Sequence, residues 1–435
     1  MRKLILLGLV ASIAVPAWAT RHLTVAQLEK TLASGVARHH TDADMMREFG
    51  DFDLTERLTD ATRTRICDSL HLGPQTTLAL QLIGDESATL DPPAAELPAD
   101  AAPDAATAAH ILSAATAYVT QTLPHLPDFL ATRSTYTFND TAQILKVNEW
   151  PVNAGLHLVK NTNREITFRD DHEVTAPTTQ AATASAGAAA PASTSTAIAA
   201  STTTPASGAG PVVNSAHAMP DPGLQSYGEF GQLLGVILID TAKSKPAFHH
   251  WERTSAGLVA VYRYSVAKPD SHYAVNYCCL FDGLRTRQGG GGGGRRGGGG
   301  GGVMGTQQSS SSTLFHKIPG YHGSLFIDPS SGVIRRMTLD AELGDGLVSR
   351  AATVIEYGPV TIGERKFICP LRSMNIYEGP PEFGPQSSEI PVASVQALEP
   401  KGTLYVNETS FTNYHRLGSE MRIITEAENP VAAHN

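Results

Sequence analysis

Residues 175–215 are almost entirely Ala, Thr, Ser, Pro and Gly. A segment with so little bulky apolar content cannot offset the conformational entropy it would lose on folding. We therefore read 175–220 as a disordered linker that divides the chain. A second interruption comes at glycines 289–294 and 297–302, split by Arg295 and Arg296, where a flexible loop over 285–312 is expected. This loop lacks the Lys-Ser/Thr ending of a phosphate-binding loop, and two arginines are too few for an RNA-binding Arg-Gly segment. Any core must be assembled from the segments before, between and after these tracts.

The N-terminus sets the expected address. Arg2 and Lys3 precede an apolar run over residues 4–15, followed by Pro16 and the small-x-small site Ala17-Trp18-Ala19. These are the three parts of a secretory signal, so residues 1–19 are expected to be removed and the chain exported to the periplasm or outside the cell. The run is shorter than the ~20 residues that span a bilayer, and no later segment is apolar for long enough, so no transmembrane span is expected after cleavage. The chain carries 33 Lys and Arg against 42 Asp and Glu, and its net charge of −9 becomes −11 when Arg2 and Lys3 leave with the signal. An acidic exported chain is not a general nucleic-acid binder.

Hydrophobic spacing divides the remainder into a helical part and a strand part. Over 20–130, Thr24 and Gln27 form a capping box ahead of Val25, Leu28 and Leu32, three apolar residues on one helical face. Gly73-Pro74 restarts a helix bearing Leu78, Leu82 and Ile83, and Asp104 caps another bearing Ile111, Ala115, Tyr118 and Val119. Between them, Pro92, Pro93, Pro98 and Pro103 make 91–103 an extended connector. From 131 to 174 the period changes to two, giving strands expected to join the main sheet, because four short strands alone make a marginal domain. After a helix within 224–242, residues 221–428 read as an antiparallel β domain, with 429–435 as a tail. The fold class is α+β: an N-terminal helical region followed by an antiparallel sheet, interrupted by two insertions.

There are four cysteines, Cys67, Cys278, Cys279 and Cys369. An oxidising compartment favours pairing, and three pairings of the four are open. Neighbouring strand residues point to opposite faces, so one of Cys278 and Cys279 is expected to face Cys369 on another strand. No CxxC spacing supports a redox or metal motif.

The chain has no G-x-S-x-G elbow, no H-E-x-x-H helix and no dinucleotide fingerprint. No cofactor is called for, and the balance leans away from an enzyme. The best metal candidates are His249-His250 with Glu252, and His316 with His322. On a regular strand His250 and Glu252 share a face, a two-ligand edge that a histidine from a neighbouring strand would complete. The alternative is that all are exposed or hydrogen-bonded sheet residues beside Trp251 and Tyr321. His39-His40, beside Asp42 and Asp44, reads as a helix start. A second candidate is the apolar side of the sheet, where Tyr262, Tyr264, Phe326, Met337, Leu339 and Ile376 are residues that line an acyl-chain or polypeptide site, or form ordinary core.

The run Gly320-Tyr321-His322-Gly323-Ser324-Leu325-Phe326-Ile327-Asp328-Pro329, continuing through Gly332-Val333-Ile334-Arg335, resembles the strand-turn-strand repeats of periplasmic half-barrels similar to lipoprotein carriers. With Tyr357-Gly358-Pro359-Val360 and Phe367-Ile368-Cys369-Pro370, the chain also resembles a group of uncharacterised exported bacterial proteins. The half-barrel likeness covers at most 224–426. It implies an open, curved sheet and carries over no activity and no residue role. The expectation is a non-enzymatic envelope protein that binds an apolar ligand, such as a lipid, or another envelope protein. The second reading is a hydrolase or metal-dependent enzyme whose residues meet only in the fold.

Overall fold

The computed structural model describes residues 21–141, 155–174, 223–224, 228–281, 312–380 and 402–418. The expected signal, the expected linker, most of the expected Gly-rich loop and the expected tail lie outside these residues, as do 142–154 of the expected strand region.

The helical part contains α1 (Val25–Ala37), α2 (Asp42–Glu48), α3 (Asp60–Leu70), α4 (Pro74–Glu86) and α5 (Ala105–Ala117). Local chemistry sets their starts. The Thr24 hydroxyl accepts from the Gln27 amide while the Gln27 side chain accepts from the Thr24 amide, the reciprocal arrangement that satisfies two otherwise orphaned donors. Thr59 and Asp104 cap α3 and α5 in the simpler way. Leu28, Leu32, Phe52, Leu58, Ile66, Leu80 and Ile83 form the buried core between the first helices. Strands β1 (Arg21–Leu23) and β2 (Phe52–Leu54) pair in parallel within this region, a feature too short for hydrophobic period to announce.

The strands that follow are β3 (Phe129–Asn139), β4 (His157–Arg169), β5 (His172–Val174), β6 (Gly223–Leu224), β7 (Ala247–Thr254), β8 (Gly257–Val266), β9 (Val275–Phe281), β10 (Ser312–Lys317), β11 (Gly320–Ile327), β12 (Ile334–Glu342), β13 (Arg350–Ile362), β14 (Arg365–Gly379) and β15 (Thr403–Arg416). The last helix, α6 (Gln232–Asp240), lies between β6 and β7. Ten strands form one open antiparallel sheet in the order β5-β4-β3-β15-β14-β13-β12-β11-β8-β7. β3 pairs with β15 along most of its length and with β4, which pairs with β5, so these three strands belong to the main sheet. β10, β9 and β6 make a separate three-stranded sheet, so the segment around Cys278 is not part of the ten-stranded one.

Both faces of the large sheet are covered. On one, Tyr262, Tyr264, Tyr321, Leu325, Met337, Leu339 and Ile355 pack against Ile111, Ala115 and Tyr118 of the α5 segment and Leu233, Leu234 and Ile237 of α6. The opposite face carries Val259, Val261 and Phe326, with Val354 and Met374 packed on Ala88. Here the N-terminal helices also reach the sheet through charge. Arg372 makes two 2.7 Å bonds to Asp85 and pairs with Glu408, which accepts from Gln81 at 3.1 Å. Arg336 donates to the Ala88 carbonyl, and Arg350 to that of Glu86.

The expected bridge to Cys369 is not made. Cys369 is a free, buried thiol packed with Phe129, Phe168 and Phe411, and burial pushes it up to about 12. Cys278 is disulfide-bonded and sits on β9, paired with Gly223 in the small sheet. The alternation argument was sound for one sheet and failed because the chain places these cysteines in two. Cys67 is also free, and the side chain of Cys279 lies outside the described residues.

Candidate metal centre

The pairing of β7 with β8 shifts between Phe248, opposite Tyr262, and His250, opposite Val261. His249 is thus the additional residue of a β-bulge, which breaks the alternation of side chains. The consequence is visible in the contacts. Phe248 and Trp251 stack edge-on at 5.2 Å, and Phe248 meets Tyr262 at 5.8 Å, so residues three apart share the face under α5. His249 and His250, which a regular strand would send to opposite faces, lie with ring centroids 4.8 Å apart.

The Pro-rich connector runs along this edge strand. Trp251 Nε1 donates to the Ala101 carbonyl at 2.8 Å, and Asp91 at the start of the connector faces His249, Oδ2 to Nε2 3.3 Å. One donor atom from each of Asp91, His249 and His250 lies within 4.8 Å of the others. Among the described residues this is the one cluster of three His, Cys, Asp or Glu donors close enough to hold a metal ion. Asp91 and His249 are at the surface. His250 is largely enclosed, with 11 % of its side chain exposed.

Each histidine has a carboxylate beside it, and each carboxylate has an arginine. Glu252 Oε2 lies 3.5 Å from His250 Nε2 and 2.5 Å from Arg57 Nη2. Asp91 accepts from Arg263 as well as facing His249. Burial alone would raise the Glu252 carboxyl, but His250 and Arg57, helped by Arg336, hold it below its ordinary range. Asp91 is lowered in the same way, with burial outweighed by Arg263 and His249. Both carboxylates are therefore anions. Nδ1 of His250 is buried and has no hydrogen-bond partner.

The sequence expectation paired His250 with Glu252 as two ligands. The structure does bring these side chains together, yet Glu252 is engaged by Arg57. Its place would suit a carboxylate that orients an imidazole, an arrangement that would fix the tautomer and leave the other ring nitrogen open to a metal. The three donors that lie together are Asp91, which the sequence reading did not name, and His249 and His250, which it did. A bulge and a contact 158 residues away in sequence leave no periodic signal, although the adjacent histidines did mark the place. His316 and His322 do not join them: His316 Nδ1 meets Asn276 Oδ1 at 2.7 Å, and His322 lies 3.6 Å from Glu342. His40 lies 3.3 Å from Glu48.

The six apolar candidates do not form one lining. Tyr262, Tyr264, Met337 and Leu339 lie under α5 and α6 and are at most 4 % exposed. Phe326 and Ile376 belong to the opposite face, as strand alternation requires: Leu325, not Phe326, stands opposite Met337, and Ile376 stands opposite Ala352, itself opposite Asp340. Phe326 lies under two guanidinium groups, with Arg57 at 5.5 Å and Arg336 at 5.3 Å from its ring centre. Burial, with repulsion from Arg57, lowers Arg336 to about 10.

No protein-family model, curated protein or solved structure matches this chain. No helix among the described residues is long and apolar enough to cross a membrane.

Proposed function

We propose that this is an exported, non-enzymatic binding protein whose ligand is a divalent transition-metal ion held by His249, His250 and Asp91. The observation that carries the reading is the buried, unpartnered Nδ1 of His250, in a residue that a β-bulge sets beside His249 and that belongs with Asp91 to a group of three donors. Two imidazoles and a carboxylate suit Zn2+, Ni2+ or Cu2+ better than Ca2+ or Mg2+, which prefer all-oxygen ligands. Glu252 would orient His250, and Arg57 would keep Glu252 in place. A bound ion would compete with Arg263 for Asp91, which favours modest affinity and exchange over permanent retention. An apolar ligand is less favoured, because the residues expected to line its site are closed core on two different faces.

The test is equilibrium dialysis of the chelator-treated protein against Zn2+, with bound metal measured by elemental analysis. One ion per chain is expected. His249→Ala and His250→Ala should each weaken binding at least a hundredfold, and Glu252→Gln about tenfold, the scale of an orienting partner. Retained folding is checked by circular dichroism. No uptake, or uptake that both histidine variants leave unchanged, refutes the proposal.

A further inference from the structure

A cleft of about 430 Å3 opens between α1, the β1–β2 ribbon and residues at the two ends of α2. Its lining includes Arg21, Lys30, Ser34 and Arg38. Lys30, Ser34 and Arg38 are spaced by four along α1 and its C-terminal cap, which puts them on one stripe of the helix. Arg21 comes from β1, where its backbone pairs with Phe52 and its guanidinium lies 5.0 Å from the Phe52 ring centre. An aromatic face thus holds this cation at the cleft wall.

Of the acids near the cleft only Glu48 lines it, and the others are engaged outside it. Glu29, next to Lys30, is bound by Arg65 at 2.6 and 2.9 Å. Glu48, which also lines the cleft, lies 3.3 Å from His40, and Asp53 lies 3.8 Å from His22. Asp44 accepts from Thr41 at 2.7 Å and faces Arg47. Arg21, Lys30 and Arg38 form no ion pair among the described residues. In a chain whose acids outnumber its bases, Arg21, Lys30 and Arg38 line one concavity against a single carboxylate, Glu48, so the cleft carries a net positive charge that an anion would offset.

We propose that this cleft binds a small phosphorylated compound through its phosphomonoester dianion. The two guanidinium groups offer planar forks for phosphate oxygens, the Lys30 ammonium a point charge, and the Ser34 hydroxyl a neutral donor. The volume is well above that of a bare phosphate ion and falls at the lower end of small-molecule sites, so the ligand carries a body of about sugar size. This site is separate from the histidine cluster and independent of any metal there.

Isothermal titration calorimetry at low salt, with chelator present, tests the inference using glucose 6-phosphate, glucose, inorganic phosphate and citrate. Glucose 6-phosphate is expected to bind one to one, more tightly than inorganic phosphate and citrate, and glucose not at all. The double variant Lys30→Ala/Arg38→Ala should weaken binding about a hundredfold, roughly tenfold for each charge-assisted contact. Both side chains are exposed, so the melting curve should be unchanged. If the double variant does not fold, Arg38→Gln alone should weaken binding about tenfold. Silence with glucose 6-phosphate, equal binding of citrate, tighter binding of inorganic phosphate, or an affinity that survives the charge removals would each overturn the proposal.

Discussion

On one face of the ten-stranded sheet, Tyr262, Met337 and Leu339 meet α5 and α6 through a large apolar contact. On the other, Arg336, Arg350 and Arg372 tie the sheet to the N-terminal helices through ion pairs and carbonyl contacts. The first kind of contact is non-directional and tolerates many arrangements of similar volume. The second requires each partner to be in place, because a buried charge without one is strongly unfavourable. The apolar face is a seal, with few polar groups free for chemistry. The charged face fixes how the helical region sits on the sheet, and the histidine cluster lies at the edge of that registration, where Arg57 reaches Glu252.

The largest effect should come from breaking the charged side. Arg372→Met leaves Asp85 and Glu408 facing each other without their shared cation, and should cost about 3–5 kcal/mol in urea unfolding near neutral pH. The apolar side should respond nearly as strongly but through a different mechanism. Ile237→Ala, at a fully buried position of α6, should cost about 2–5 kcal/mol according to how far the cavity collapses, and that cost should be insensitive to salt. If Arg372→Met proved neutral, the charged face would be an incidental contact.

pH should separate the faces further. Burial pushes the Asp85 carboxyl from 3.8 up to about 7, against the pull of Arg372 and with the help of Glu408. A folded-state value above the unfolded one means that the native state binds the proton more tightly. The stabilisation from this group is therefore complete below about pH 4 and is lost as pH rises through about 7. Relative to Asp85→Asn, the parent protein should lose stability between pH 5 and pH 8, and Arg372→Met should be less damaging at pH 5 than at pH 8. Ile237→Ala should show no such difference. Denaturation at the two pH values reads all three variants.

Asp328 provides an opposite sign within one turn. Burial raises its carboxyl, but hydrogen bonds from Ser330 and Ser331, with Arg335, prevail and bring it down to about 2. Its contribution is present above about pH 4 and lost as pH falls through about 2, so Asp328→Asn should narrow the gap to the parent in acid. The smallest effect expected is at a helix end. Asp104→Ala removes the acceptor for the Thr107 amide and should lower the melting temperature slightly without touching either face.

Much of the framework was legible because it follows from spacing. Thr24 and Gln27 announced α1, Asp104 announced α5, and the change to a period of two after residue 130 announced the strands that join the main sheet. The functional arrangement was legible only in fragments. His249-His250 and Glu252 stood out as donors, but strand periodicity sorted them by the rule that the bulge suspends. The same rule, applied strictly, would have separated Phe326 from Met337 and Leu339.

The amino-acid sequence by itself determined which segments form helices or strands and which tracts are too poor in apolar residues to build a core, since these follow from local propensity and burial. It did not determine that Cys278 and Cys369 belong to different sheets, that Arg57 engages Glu252, or that Asp91 reaches His249. Those are contacts between residues far apart in the chain. Only tertiary packing decides them, because their energies depend on which surfaces are buried together.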